Sequence, residues 1–199
     1  MRFAAVVLAG GAARRLGGTP KPARTVAGVS MLSRVLAAVA AAEARVVVGP
    51  PLADGPPLAD GPAVRYTQEQ PPGGGPVAAV AAGLALLDPG VGTVAVLGAD
   101  LPFLTPDAVD RLLRAVEPDA DLAVYVDADG YPQWLCGVWR RAALDRRLAE
   151  LGDPAGVGMR RLADGLRRVE LPDDSSPPVW YDCDTEEDLR RAEEWTHGR

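Results

Sequence analysis

Four short stretches of this 199-residue chain carry residue types suited to chemistry on phosphates. The first is LAGGAARRLGGTPKPA, at 8–23. Gly10 and Gly11 let the backbone approach a ligand closely and aim N–H groups at it. Arg14, Arg15 and Lys21 add positive charge beside those groups. A triphosphate needs several such fixed donors. The stretch is neither the GxxxxGK[ST] phosphate loop nor the GxGxxG dinucleotide fingerprint. A glycine turn flanked by solvated arginines has the same composition. Lys21 is the only lysine beside 20 arginines, and the chain has no asparagine or isoleucine. A GC-rich genome accounts for that bias, and against it a lysine inside the glycine-rich stretch stands out. A compact ammonium suits a phosphate as a point charge.

The second stretch is GADLPFL, at 98–104. Asp100 ends an apolar run, with Pro102 two residues on. A single carboxylate there suits Mg²⁺, which takes few protein oxygens and fills its shell with substrate phosphate and water. Capping of the next turn is the alternative role for Asp100. The third, PPGGGP at 71–76, offers a wall without side chains for a flat base or a phosphate. The fourth, WYDCDTEEDL at 180–189, places Asp182 and Asp184 on one face of an extended segment. They either assist a metal or second substrate, or Asp184 caps the helix that follows.

These stretches need rigid elements to position them. The apolar run at 3–8, ended by Gly10-Gly11, reads as a buried strand. Helix periodicity predicts 30–42, with Ser30 as N-cap. Strands are expected at 45–48, 64–67 and 93–97, with helices at 77–87 and from Thr105 or Pro106 to about 116. The Asp129-Gly130 pair marks a hairpin between strands at 122–126 and 133–138. Helices are expected at 142–151 and 156–163, extended segments at 167–171 and 179–183, and a helix at 185–195 capped by Asp184 or Thr185. The tandem hexapeptide PLADGP-PLADGP at 51–62 reads as an expanded surface loop, because lengthening such a loop costs little. Strands alternating with helices predict a three-layer α/β/α domain with a mostly parallel sheet, spanning 1–199 as one unit. Ligands bind beyond the carboxyl ends of such strands. That rule lines up residues 9–11, Gly49, residues 68–75 and Asp100 on one rim.

Composition limits the function classes. The net charge of −6 disfavours general nucleic-acid binding. Charge is uneven: residues 1–42 hold six basic side chains and no acid, whereas the remainder holds 15 bases and 27 acids. A positive segment on an acidic body marks a local anion site. Cys136 and Cys183 are far apart and outside any CxxC spacing, which argues against a disulfide scaffold or zinc site and fits a reducing cytoplasm. His197 is the only histidine and lies at the tail, which disfavours histidine-based catalysis. No apolar run reaches the roughly 20 residues of a membrane span. The N-terminal run is read as a core strand rather than a secretory signal. A soluble cytoplasmic protein without a membrane or nucleic-acid partner is expected.

In this order the four stretches resemble the MobA-like nucleotidyltransferases. The resemblance spans about residues 5–195, and its specific parts are LAGG…R-GG…K and D-PFL. It implies a Rossmann-like fold and transfer of GMP from GTP to the terminal phosphate of molybdopterin, with release of pyrophosphate. Leu8, Ala9 and Gly10 would present backbone to the nucleotide, with Gly11 supporting the turn. Lys21 would contact the phosphates, Glu69 would read the base, and Asp100 would hold Mg²⁺. Lys21, Arg15 and Asp100 are the residues expected to carry catalysis. Transient contact with molybdopterin-handling proteins is a further implication. The chain departs from the family pattern in four places. Pro20 replaces the acid before the lysine, Gly49 replaces an asparagine after the second strand, and Trp134 replaces the proline after the glutamine of the substrate segment, Gln133. The base-reading stretch is Gln68-Glu69-Gln70. A sibling cytidylyltransferase or other nucleotidyltransferase with a different phosphorylated acceptor, and a non-catalytic nucleotide-binding protein, share the same loops.

Overall fold

The computed structural model describes residues 2–10, 24–50, 61–116 and 119–197. Strand β1 (Ala4–Leu8) is buried at every position, as a parallel strand covered on both faces must be. Its alternation divides the protein into layers. Ala5 and Val7 face one apolar cluster, which includes Leu32, Val35 and Leu36 of α1 (Met31–Ala38) and Val109, Leu112 and Leu113 of α3 (Pro106–Ala115). Ala4, Val6 and Leu8 face the other, with Val77, Val80 and Leu84 of α2 (Pro76–Leu84), Leu144 of α4 (Arg141–Leu151) and Leu162 of α5 (Met159–Leu162). The expected three-layer α/β/α arrangement follows from this period of two.

Seven strands form the sheet in the order β5-β4-β1-β6-β8-β7-β9. These are β4 (Ala44–Val48), β5 (Val64–Thr67), β6 (Thr93–Gly98), β7 (Leu122–Val126), β8 (Pro132–Arg140) and β9 (Arg168–Pro172). Pairings β4–β5, β1–β4, β1–β6 and β7–β9 are parallel. Only β8 runs against the rest, pairing antiparallel with both β6 and β7. Its N-terminal end therefore lies at the carboxyl rim of its neighbours. Gly83 on α2 lets the helix approach the sheet: a Cβ there would come within 2.4 Å of Val6 Cγ1.

Several elements differ from the sequence reading. Helix α1 stops at Ala38 rather than 42, and α5 shrinks to one turn. The segment at 179–183 pairs with no strand; Val179 and Trp180 form a turn. A two-residue hairpin of β2 (Thr25–Val26) and β3 (Val29–Ser30) was not foreseen. It is too short to show strand periodicity. It rests on α6 (Glu186–His197), where Arg24 makes a bidentate ion pair with Glu186 and Ala27 N–H donates to Glu193. Among the described residues, no helix is long and apolar enough to cross a membrane.

Candidate active site

The sheet delivers the first half of the rim through backbone. Beyond the strands, Ala9 N–H donates to Val48 O (2.7 Å), Gly49 N–H to Thr67 O (2.9 Å) and Ala99 N–H to Leu8 O (3.0 Å). Ala9, Gly49 and Ala99 thus form a level edge. A Cβ on Gly49 would lie 2.8 Å from Ala9 C and 2.9 Å from Gly10 N. The asparagine common at this place in the resembling family has no room here. The two strand ends pack backbone against backbone instead.

Glu69 lies under this edge and is 6% exposed. Its Oε1 accepts from Gly73 N–H at 2.9 Å. The same oxygen is 3.8 Å from where a Cβ on Gly10 would stand. Its Oε2 is buried, with no hydrogen-bond partner among the described residues. Such an atom incurs a desolvation cost until a donor reaches it. The sequence alone pointed to this residue only through the resemblance, since a burial this deep is invisible in QEQPPGGGP. The glycine-rich stretch continues into α2 through Gly75, at φ +92°, and Gly156 N–H donates to Gly74 O at 2.8 Å. The 152–158 loop therefore buttresses this wall.

The second half of the site is acidic. Asp100 follows β6, and its carboxylate occupies space that Gly98 leaves open, 2.5 Å from a hypothetical Cβ. Asp182 and Asp184 converge on it: one oxygen from each of the three carboxylates lies within 4.8 Å of the others. The convergence has a visible cause. Cys183, between the two aspartates, is fully buried and donates its N–H to Asp100 O at 3.2 Å. Tyr181 packs with Phe103 and Trp195, ring centroids 4.9–6.2 Å apart. With Tyr181 and Cys183 turned inward, the alternate residues Asp182 and Asp184 are turned out, on one shared face. The cap of α6 is made elsewhere. Thr185 Oγ1 accepts from Asp188 N–H, and Asp188 Oδ2 accepts from Thr185 N–H and Oγ1–H, a capping box. Burial pushes the Asp188 carboxyl up, but hydrogen bonds from Thr185, Tyr181 and the Asp184 backbone together outweigh it and hold the group below its ordinary range.

Three carboxylates with oxygens this close suit a hard divalent cation, which takes oxygen ligands and leaves positions for phosphate. Neither cysteine is available to a soft metal. Burial raises the Cys136 thiol far above its ordinary range, and Cys183 is enclosed by Val26, Met31, Leu189 and Ala192. Of the other expected site residues, Leu8 and Ala9 are buried at the rim and Gly10 is exposed above it. Gly11, Arg14, Arg15, Pro20 and Lys21, and most of the hexapeptide repeat, lie outside the described residues.

On the far side of Asp100, β8 is bulged. Gly137 pairs with Val124 but Pro132 pairs with Val126, so extra residues of β8 loop out at the rim. Leu135 Cβ is 3.7 Å from the Cβ position of Gly98, beside the Asp100 carboxylate. Bulges of this kind re-aim side chains and are common next to active sites. Trp134 packs there under Arg168, whose guanidinium carbon is 5.4 Å from the ring centroid.

Comparison with known proteins agrees with this arrangement. The MobA-like NTP transferase domain model matches residues 5–170. The molybdenum cofactor guanylyltransferase of Rhodobacter capsulatus is 32% identical over 196 residues, covering 98% of this chain and 96% of that protein. A solved homolog of Mycobacterium tuberculosis Rv0371c, from Mycobacterium sp. strain JC1, superposes with a TM-score of 0.75 over all of both chains at 23% identity, a likeness of fold. Rv0371c itself, solved as a complex with manganese, has a TM-score of 0.68 at 22% identity and covers 97% and 98% of the two chains. With a backbone-lined rim, an acidic cluster at Asp100 and a matching domain over most of its length, this chain belongs to the MobA-like NTP transferase family.

Proposed function

We propose that the chain, acting as a single domain, transfers GMP from GTP to the terminal phosphate of molybdopterin and releases pyrophosphate, with Mg²⁺ held at Asp100. The observation that carries the choice of nucleotide is the buried, unpartnered Oε2 of Glu69. Guanine offers two adjacent donors, N1–H and the 2-amino group, to a carboxylate. Cytosine and adenine pair each amino donor with a ring acceptor on that edge, which a carboxylate repels. The guanylyltransferase relative supports both substrates.

The chemistry is an in-line attack by an acceptor phosphate oxygen on the α-phosphorus of the nucleotide. The bond from that phosphorus to the bridging oxygen breaks, and pyrophosphate leaves with the electron pair. The attacking phosphate is already anionic, so no protein nucleophile or general base is needed. The protein contributes position and charge neutralisation. Glu69 fixes the base, and the backbone of Leu8, Ala9 and Gly10 holds the sugar-phosphate. Arg15 and Lys21 balance the phosphates. Asp100, assisted by Asp182 and Asp184, would hold Mg²⁺, which would supply positive charge against the developing negative charge on the phosphates.

Thermal stability with GTP, CTP, ATP or UTP in the presence of Mg²⁺ tests the reading. GTP is expected to raise the melting temperature most. A larger shift with CTP favours a cytidylyltransferase, and no shift with any nucleotide favours a protein without this activity. Assays with chelator and with Mg²⁺ or Mn²⁺ added back identify the metal.

A further inference from the structure

The last strand leaves one side of the sheet open, and the backbone groups it offers there have sharp limits. Strand β9 ends the strand order, with β7 on its inner side. In a parallel ladder successive residues turn their backbone groups to alternate sides. Arg167 turns inward: its O accepts from Leu122 N–H at 3.3 Å, and its N–H donates to Asp121 Oδ2 at 3.0 Å. Val169 and Leu171 therefore also face β7, and Arg168 and Glu170 turn N–H and C=O outward. Among the described residues nothing hydrogen-bonds to these four outward groups. The open stretch stops at both ends. Leu166 N–H is taken by Ala163 O at 3.2 Å. Pro172 has no N–H to give, and its O accepts from Arg111. The side chains follow the same period. Val169 and Leu171 pack against the core on one face. Arg168 and Glu170 share the other face, paired with each other at 2.7 Å and 37% and 40% exposed, with Arg168 lying over Trp134.

We propose that β9 is the contact of a two-fold dimer, in which β9 of a second copy of this chain adds to it antiparallel, centred on Val169. In that register Arg168 stands opposite the partner's Glu170, and Glu170 opposite the partner's Arg168. Both are hydrogen-bonded pairs, so all four outward groups of each copy are used. Moving the centre to Arg168 or to Glu170 brings Leu166 or Pro172 into the ladder, and neither has a free N–H. It also sets Arg168 against its own copy, or Glu170 against its own. Opposite charges directly across an antiparallel pair attract, and like charges there destabilise it. The two charged side chains stand on a face of the sheet and not along its edge, so they select the register without blocking it. The pattern reads the same from either strand, as a two-fold contact requires of a single patch. That selects a second copy over an unrelated extended segment, which needs only the backbone groups. The proposal is independent of which nucleotide or acceptor the site takes.

The test measures the mass of the full chain by sedimentation over a wide dilution series. Wild type should run at twice the mass of one chain when concentrated and dissociate on dilution. Arg168→Glu and Glu170→Arg each set like charges opposite in both cross-strand pairs, and each should weaken the dimer about tenfold or more. An equal mixture of these two single variants brings an acidic strand against a basic one and should recover the doubled mass as a heterodimer. The double variant R168E/E170R restores the complementarity and should dimerise as wild type does. Loss of the ion pair within one chain does not give this pattern, because the mixture leaves both chains without it. Hydrogen exchange should slow at the Arg168 and Glu170 amides when the dimer forms, whereas the Val169 amide, bonded to β7, should be slow in both states. The proposal is overturned if both single variants dimerise as wild type does, if their mixture stays monomeric, or if the Arg168 and Glu170 amides exchange as fast in the dimer as in the monomer. A wild-type chain that stays monomeric at every concentration also overturns it and leaves the edge to an extended segment of another protein.

Discussion

The two halves of the rim are built from different materials. On the β5-β4-β1-β6 side the surface is almost entirely backbone, and its tolerances are set by missing side chains at Gly49 and Gly98. On the β8-β7 side the strand bulges, and the surface is made of Gln133, Trp134 and Leu135, each fixed by a neighbour. A nucleoside triphosphate has the same phosphates whatever its base, so a backbone cradle suffices for most of it. The three carboxylates of Asp100, Asp182 and Asp184 lie between the halves, where the two substrates would meet.

The largest effect should come from the junction. Asp100→Asn is expected to lower turnover about 100- to 1,000-fold, the usual loss for one electrostatic contact to transferring charge, with the melting temperature little changed. An active variant would move the metal away from this junction. On the nucleotide side, Glu69→Gln should weaken GTP about 10- to 100-fold, since hydrogen bonds to a charged group contribute about 1.5–3 kcal/mol, and acceptor KM should be unaffected. Gly49→Asn, which restores the family residue, tests whether this half is limited by backbone. It should cost about 1–3 kcal/mol through overpacking and be seen as a lower denaturation midpoint. The same stability as wild type would mean that the β1 and β4 ends can part. The smallest effect concerns α6. Because the folded Asp188 carboxyl is held below its ordinary value of 3.8, its contribution is complete above that value and is lost as pH falls through the lowered one. Asp188→Ala should cost about 1 kcal/mol at neutral pH, as for other helix caps, and the difference from wild type should shrink in strong acid.

The order of the rim on the β5-β4-β1-β6 side was legible in the sequence, and the bulged surface on the β8-β7 side was not. Ala9-Gly10 and GADLP follow apolar strands in the chain, so their place on the rim depends on local order alone. Asp182 and Asp184 were legible as a pair on one face, yet their role stayed open between metal and cap. The extended strand expected at 179–183 does not form. The shared face comes instead from burial of Tyr181 and Cys183 against Phe103 and α6. Gln133 was marked only by the resemblance, as the glutamine of the substrate segment, and the contacts that orient its amide are set by what surrounds it.

By itself the sequence determined the α/β class, the positions of β1 and β6, the glycines that bring backbone to the rim and the acid that follows β6. These depend on hydrophobic period and on conformations available to single residues, both local properties. Tertiary structure alone decided that β8 inserts between β6 and β7 with its bulge at the rim, that Cys183 ties two aspartates to Asp100, and that Glu69 is buried with one oxygen unpaired among the described residues. Each of these joins groups remote in the chain or depends on loss of water, and neither is encoded in any short window of residues.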